Sequence, residues 1–342
     1  MPTLTVLMPV YNGEKYLRES IESILEQTFT DFDFLIVDDG STDNSALIIN
    51  SYNDTRIKYL KNEKNLGIVH SLNRGLDLAT GDYIARMDCD DISLPNRLEK
   101  QVLFMEGNPD IGISGTWVQI FGEQSNNAVW KYPYDPKEIS YALLFNSVLA
   151  HPSVIIRMSF LKNYGLRYDP EYIYAEDYNL WVVADNYFKL ANIPEVLLKY
   201  RLSNTNTGKV NSEKKLLSAK MTRSYCLDKF KINLTAEQKD LFSRICIYEV
   251  FKEMNLFYDS MDILNNIYYQ SLSNKLLSKK IVSKIIFDYY SYLLYNIPSV
   301  NLQVLKKYMC GKIFLCSAFQ KEYIKLLCFL VKRILCLLHN YL

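Results

Sequence analysis

Short apolar runs that alternate with helical patterns over the first 120 residues constrain this chain more than any other feature. Residues 4–9, 32–37, 57–60 and 83–87 read as strands, and residues 16–27, 45–52 and 68–78 carry apolar side chains at helical spacing. Pro95 stands where a further helix would open. Such alternation predicts an α/β fold with a mostly parallel, doubly wound sheet, whose ligands bind beyond the carboxyl ends of the strands. Two acidic clusters, Asp38-Asp39 and Asp88-Cys89-Asp90-Asp91, fall at those ends. Strands near residues 113–120 and 154–157 and a helix near residues 177–187 follow in a more mixed pattern. A polar stretch at 203–208 then precedes sequence that reads as helical to the end, so we expect domains at 1–208 and 209–342.

The clusters carry chemistry that turns alone do not require. Asp88, Asp90 and Asp91 concentrate negative charge that a cation would relieve, and hard oxygen ligands favour Mg²⁺ or Mn²⁺ holding a diphosphate. The plainer reading is a solvated acidic turn with Asp91 capping the next helix. Asp39, followed by Gly40, can accept from a base N–H or a ribose hydroxyl, although Ser41, Thr42 and Asp43 also suit a turn or helix cap. Glu176 and Asp177 open a helical run, where the helix dipole alone favours acids.

Composition narrows the alternatives. With 39 Lys+Arg against 38 Asp+Glu the chain has no basic footprint for nucleic acid. Three histidines and seven scattered cysteines assemble no zinc cluster, and free thiols suit a reducing compartment. The N-terminus lacks a signal peptide's basic segment, and the uncharged run 139–156 is interrupted by Asn146, His151 and Pro152, so it does not read as a membrane span. We therefore expect a cytoplasmic protein. The 27 tyrosines are in excess of what a core needs, and rings with a hydroxyl suit sites for sugars, bases or interfaces. No G-x-G-x-x-G follows the first strand and no G-K-[ST] is present, which excludes a Rossmann dehydrogenase and a P-loop enzyme.

Taken together, several motifs in order resemble the inverting family 2 glycosyltransferases with the GT-A fold, over about residues 3–202. They are Met8-Pro9-Val10-Tyr11-Asn12, Val37-Asp38-Asp39-Gly40-Ser41, Asn65-Leu66-Gly67, Leu72-Asn73, Gly81-Asp82-Tyr83-Ile84-Ala85-Arg86-Met87-Asp88, Asp90-Asp91, His151-Pro152-Ser153, Ala175-Glu176-Asp177-Tyr178 and Lys199-Tyr200-Arg201-Leu202. Within the family the pattern is similar to bacterial lipopolysaccharide and capsule β-1,3-N-acetylhexosaminyl- and galactosyltransferases. The resemblance implies a UDP-sugar donor, a divalent metal (Mn²⁺ or Mg²⁺), and a saccharide or lipid-linked saccharide acceptor. It implies that Pro9, Tyr11 and Asp39 line a uridine pocket, and that Asp88 binds ribose or metal-bound water. Asp90 would then ligate the metal, Asp91 would touch the sugar or order the loop, and Asn73 and Arg86 would lie near the phosphates and sugar. Asp177 would be the general base, with Glu176 as its neighbour and understudy, and like-charge repulsion is expected to raise the proton affinity of the pair. Relatives often carry a histidine where this chain has Ser203, which removes one potential ligand. A GDP- or dTDP-sugar donor and a non-catalytic nucleotide-sugar binder remain as alternatives.

Residues 321–341 read as a final helix with Lys321, Lys325, Lys332 and His339 on one stripe. It suits either the inner face of an anionic membrane or packing on the C-terminal domain or on a dimer partner.

Overall fold

The computed structural model describes residues 2–123, 125–202, 212–273 and 278–297. The chain divides into two compact units, one running to Leu143 and from Ser147 to Thr222, the other combining Leu144–Asn146 with Arg223 onward. The boundary expected near Gly208 and the basic helix at 321–341 lie outside the described residues.

The first unit begins as the alternation dictates. Strands β1 (Leu4–Val10), β2 (Phe32–Asp38), β3 (Ile57–Lys61) and β4 (Tyr83–Arg86) are separated by helices α1 (Leu17–Leu25), α2 (Ser45–Asn50) and α3 (Ile68–Leu78). All four strands pair in parallel in the order β3-β2-β1-β4. Every residue of β1 is buried, as expected for a central strand with both faces covered. Leu17, Ile21 and Ile24 form the buried stripe of α1.

The sheet then changes character. The chain adds β5 (Ile92–Ser93), α4 (Arg97–Gly107), β6 (Ile111–Phe121), β7 (Val129–Trp130), α5 (Pro136–Ala142), β8 (Ile155–Arg157), α6 (Met158–Tyr164), α7 (Glu176–Ala184) and β9 (Lys189–Arg201). Beyond β4 the order continues β8-β6-β9-β5, with β8 antiparallel to both neighbours and β7 attached to β6. Among the described residues this makes one mixed sheet of nine strands.

Two local readings need correction. Strand β9 is not evident in the sequence because Pro194 and Glu195 interrupt its apolar pattern. Proline lacks the ladder donor, and the strand absorbs it in a bulge: the register with β6 steps from Thr116↔Ile193 to Trp117↔Val196. Asp91 does not cap a helix, because β5 intervenes and α4 starts at Arg97, two residues beyond Pro95.

In the second unit, the end of α8 (Ser212–Lys229) is followed by α9 (Ala236–Cys246), α10 (Met254–Ser273) and α11 (Lys279–Tyr295). Thr235 and Gln238 form a capping box at the start of α9. Phe145 stacks on Tyr289 with ring centroids 4.6 Å apart, and the buried Arg223 donates from Nε to the Phe145 carbonyl at 2.8 Å. No helix among the described residues is long and apolar enough to cross a membrane.

The loop after β2 depends on Gly40. Its φ is +73°, and a Cβ there would lie 2.6 Å from the Lys64 carbonyl carbon. Gly67 also has a positive φ, of +91°, but a Cβ would meet nothing within 4 Å. Gly40→Ala is therefore expected to lower stability by about 1–3 kcal/mol in urea titrations, and by more than Gly67→Ala. The reverse order would contradict the crowding argument.

Candidate active site

The ends of β1 and β2 bring Pro9, Tyr11 and Asp39 together. Pro9 pairs with Val37 in the ladder and is buried, while Tyr11 just past β1 is 48% exposed. The adjacent aspartates do different work. Asp38 is a brace, accepting from the Ser41 backbone N–H and the Tyr59 hydroxyl, each at 2.8 Å. Asp39 gathers the next loop: Oδ1 accepts from Asn62 Nδ2 at 2.7 Å and Leu66 N–H at 2.9 Å, and Oδ2 accepts from Gly67 N–H at 2.8 Å. A carboxylate oxygen can accept twice, so Oδ2 has capacity for one more N–H.

At the end of β4 the acidic loop surrounds Arg86. The buried guanidinium meets Asp88 Oδ2 through Nη1 at 2.5 Å, and its Nε has no hydrogen-bond partner. Burial works against its charge, but Asp88 overcomes that and holds Arg86 protonated more firmly than usual. Asp88, Asp90 and Asp91 offer oxygens that all lie within 4.8 Å of one another. Burial, then the charge of Asp88, pushes the carboxyls of both Asp90 and Asp91 up. Asp91 is 1% exposed; its Oδ1 accepts from the Arg201 N–H at 2.8 Å and its Oδ2 has no hydrogen-bond partner. This mutual crowding of hard oxygens, with one oxygen orphaned, fits a divalent cation of the Mg²⁺ or Mn²⁺ type.

Two arginines, Arg97, which no sequence motif singled out, and Arg201 of the Lys199–Leu202 motif, set the loop's backbone. Arg97, fully buried, donates from Nη2 to the Arg86 carbonyl at 2.5 Å and from Nε to Gln101 Oε1 at 3.0 Å. Arg201 donates from Nε to the Asp90 carbonyl at 2.6 Å, pairs with Glu19, and lies over the rings of Tyr16 and Phe121.

Glu176 and Asp177 form the first turn of α7, after Ala175 and Tyr174, and the Tyr174 φ of +65° is strained for a bulky residue. Burial, followed by Asp177, pushes Glu176 up to about 7, and one of its oxygens, Oε2, has no hydrogen-bond partner. Asp177 is also raised, and burial is again the leading cause. Like-charge repulsion within the pair adds to burial at Glu176, while the α7 backbone amides of Tyr178 and Asp177 oppose the rise at Asp177.

Tyrosines ring this pair. Burial raises Tyr132 and Tyr168, and the charge of Asp177 adds to both. Tyr168 is clamped by Asn73, whose Nδ2 donates to its carbonyl at 2.8 Å and whose Oδ1 accepts from its N–H at 3.1 Å. The Asn73 amide is thus committed to the Tyr168 backbone at both ends, a positioning contact invisible in sequence because 95 residues separate the two. His151 Nε2 lies 2.9 Å from the Tyr168 hydroxyl, and burial, then Arg86, keeps its imidazole neutral. Ser203, where relatives often carry histidine, lies outside the described residues.

One mixed sheet with acidic groups at its strand ends is the architecture of a nucleotide-sugar transferase of the GT-A class. Residues 5–165 match the model of glycosyl transferase family 2. The chain is 33% identical over 324 residues to an uncharacterized glycosyltransferase of Haemophilus influenzae, covering 90% of this chain and 97% of that one. It is 32% identical over 206 residues to the Escherichia coli UDP-Glc:alpha-D-GlcNAc-diphosphoundecaprenol beta-1,3-glucosyltransferase WfgD, covering 59% of this chain and 78% of that one. Staphylococcus aureus TarS 1–349, solved in complex with UDP-GlcNAc, shares the fold with a TM-score of 0.55 at 18% identity, covering 85% and 90% of the two chains. The chain belongs to glycosyl transferase family 2.

The raised carboxyl of Glu176 has a stability consequence. Its folded pKa of about 7 exceeds the ordinary 4.5, so its contribution is fully present below pH 4.5 and is lost as pH rises through about 7. Glu176→Gln, which cannot ionise, is expected to gain melting temperature relative to the parent at pH 8 and to lose that advantage at pH 4.5. A difference independent of pH would show that Glu176 is not buried against Asp177.

Proposed function

We propose that this chain is an inverting transferase that moves a hexose (GlcNAc, GalNAc, Gal or Glc) from a UDP-sugar to a hydroxyl of a saccharide acceptor in surface polysaccharide assembly. The observation that carries this reading is the place of Arg86. Its guanidinium is ion-paired to Asp88, and its charge lowers the proton affinity of Asp90 and Asp91 and also of Glu176 and Asp177. The candidate diphosphate site and the candidate base therefore share one buried cation.

In this reading Asp39 receives the uracil N–H, with Pro9 and Tyr11 as the pocket's other walls. Asp90 and Asp88 would hold the divalent cation, which supplies charge neutralisation at the departing diphosphate. Asp91 and Arg201 keep that loop in place. Asp177 takes the proton of the acceptor hydroxyl as its oxygen forms the new bond to the anomeric carbon. The bond from that carbon to the diphosphate breaks on the opposite face, UDP leaves, and the configuration inverts. A raised proton affinity makes Asp177 a better acceptor once ionised, and its place in the first turn of α7 keeps the ionised form accessible.

The names of relatives support the setting. WfgD is named for glucosyl transfer to a diphosphoundecaprenol-linked sugar, and a 33% identical relative, AmsE of Erwinia amylovora, is named for amylovoran biosynthesis.

Asp177→Asn is expected to lower transfer by about 10²- to 10⁴-fold, the span of a lost general base, while UDP affinity measured by calorimetry stays unchanged. Equal loss of UDP affinity would remove Asp177 from that role. Asp90→Ala should abolish the Mn²⁺- or Mg²⁺-dependent part of UDP binding. A screen of UDP-, GDP- and dTDP-sugars for metal-dependent transfer or slow hydrolysis tests the donor assignment, and activity with GDP- or dTDP-sugars alone would overturn it.

A further inference from the structure

The segment that follows β6 presents aromatic rings that the transfer chemistry above does not use. Trp130, in β7, pairs with Val118 of β6 and is 43% exposed. Its ring centroid lies 5.7 Å from that of Tyr200, on β9 across β6. Tyr200 immediately precedes Arg201, whose N–H is bonded to Asp91, so this end of the aromatic strip adjoins the acidic loop. Two residues after Trp130, the half-buried Tyr132 has Asp177 as its charged neighbour.

The strip is also held rigidly. Trp117 Nε1 donates to the Tyr132 carbonyl at 2.9 Å, and Asn192 Nδ2 donates to the Pro133 carbonyl at 2.7 Å. Lys131 turns away to lie over the Trp117 ring, leaving the Trp130 face without a charged cover from its neighbour in sequence. On the other side the Ile120 N–H donates to the Ala128 carbonyl at 2.8 Å, and an exposed tryptophan whose backbone is fixed at both flanks loses little conformational freedom when a ligand covers it. A pyranose has the matching surface: one face carries axial C–H groups, which suit the electron-rich face of an indole, while its hydroxyls stay free for hydrogen bonds at the edge.

We propose that Trp130 is the platform on which a pyranose ring of the acceptor stacks, beside Tyr200 and the acidic loop. The occupant is a saccharide, and this rests on the reading of the site as a saccharide transferase. A stacked ring there leaves its edge hydroxyls free to meet the site's polar groups. Trp130 thereby selects acceptors whose ring offers an unbroken C–H face, and it plays no part in holding UDP.

The test uses the full chain with UDP and Mg²⁺, and the methyl α- and β-glycosides of glucose, galactose, N-acetylglucosamine and N-acetylgalactosamine as probes. In saturation-transfer NMR at least one glycoside should receive magnetisation at its axial ring protons. In Trp130→Ala that glycoside should bind about ten-fold more weakly, the equivalent of 1.4 kcal/mol, and Trp130→Phe should restore most of the signal. UDP affinity should be the same in all three proteins, which also shows that the variants are folded. Ring-proton transfer that survives Trp130→Ala, or its absence for every glycoside in the parent protein, overturns the proposal. Failure of the parent to bind UDP would instead count against the UDP-sugar reading of the site.

Discussion

A single buried guanidinium organises the acidic centre. Two groups of carboxyls, Asp88 with Asp90 and Asp91, and Glu176 with Asp177, are each crowded, and such crowding is unfavourable without a cation. Arg86 answers part of that charge from within the fold, with Asp88 as its direct partner. Its own backbone carbonyl is held by Arg97, and the neighbouring loop is held by Arg201 through the Asp90 carbonyl and the Asp91 side chain. One arginine supplies charge and two supply position. Burial, and then the charge of Asp88, raises the carboxyls of Asp90 and Asp91, and one Asp91 oxygen has no hydrogen-bond partner. A centre left short of positive charge at a strand end is what a metal–diphosphate ligand can complete.

The tyrosine excess acquires two physical uses. Around the carboxyls, Tyr132, Tyr168 and Tyr200 are all pushed upward by burial, so their phenols stay neutral and add no charge to a crowded site. In the helical unit, Tyr268 and Tyr290 are core residues, and Tyr289 stacks between Phe145 and Tyr248. Only Tyr11 had a place in the sequence-based reading of the site, because a ring's function depends on neighbours that periodicity does not reveal.

Much of the donor half was legible from sequence. β1 to β4 are continuous apolar runs in a parallel sheet, so periodicity finds them, and the acidic clusters follow directly at their ends. Later elements were harder. β9 is broken by Pro194, and its pairing with β6 survives through a bulge that no local pattern announces. Asn73, expected near the phosphates and sugar, also holds the Tyr168 backbone, a contact set by a pairing across the fold. Asn62, which holds Asp39, sits in an unremarkable polar loop and left no signal.

Sequence alone determined the fold class, the strand ends where chemistry would gather, and the acidic residues that belong there, because hydrophobic period and local motifs are short-range properties. Tertiary structure decided which charges meet. Only folding pairs the buried Arg86 with Asp88, takes Asp177 out of water, and lays Trp130 beside Tyr200. The reason is that burial, dielectric and cross-strand proximity are properties of the packed chain, and each depends on partners many tens of residues apart.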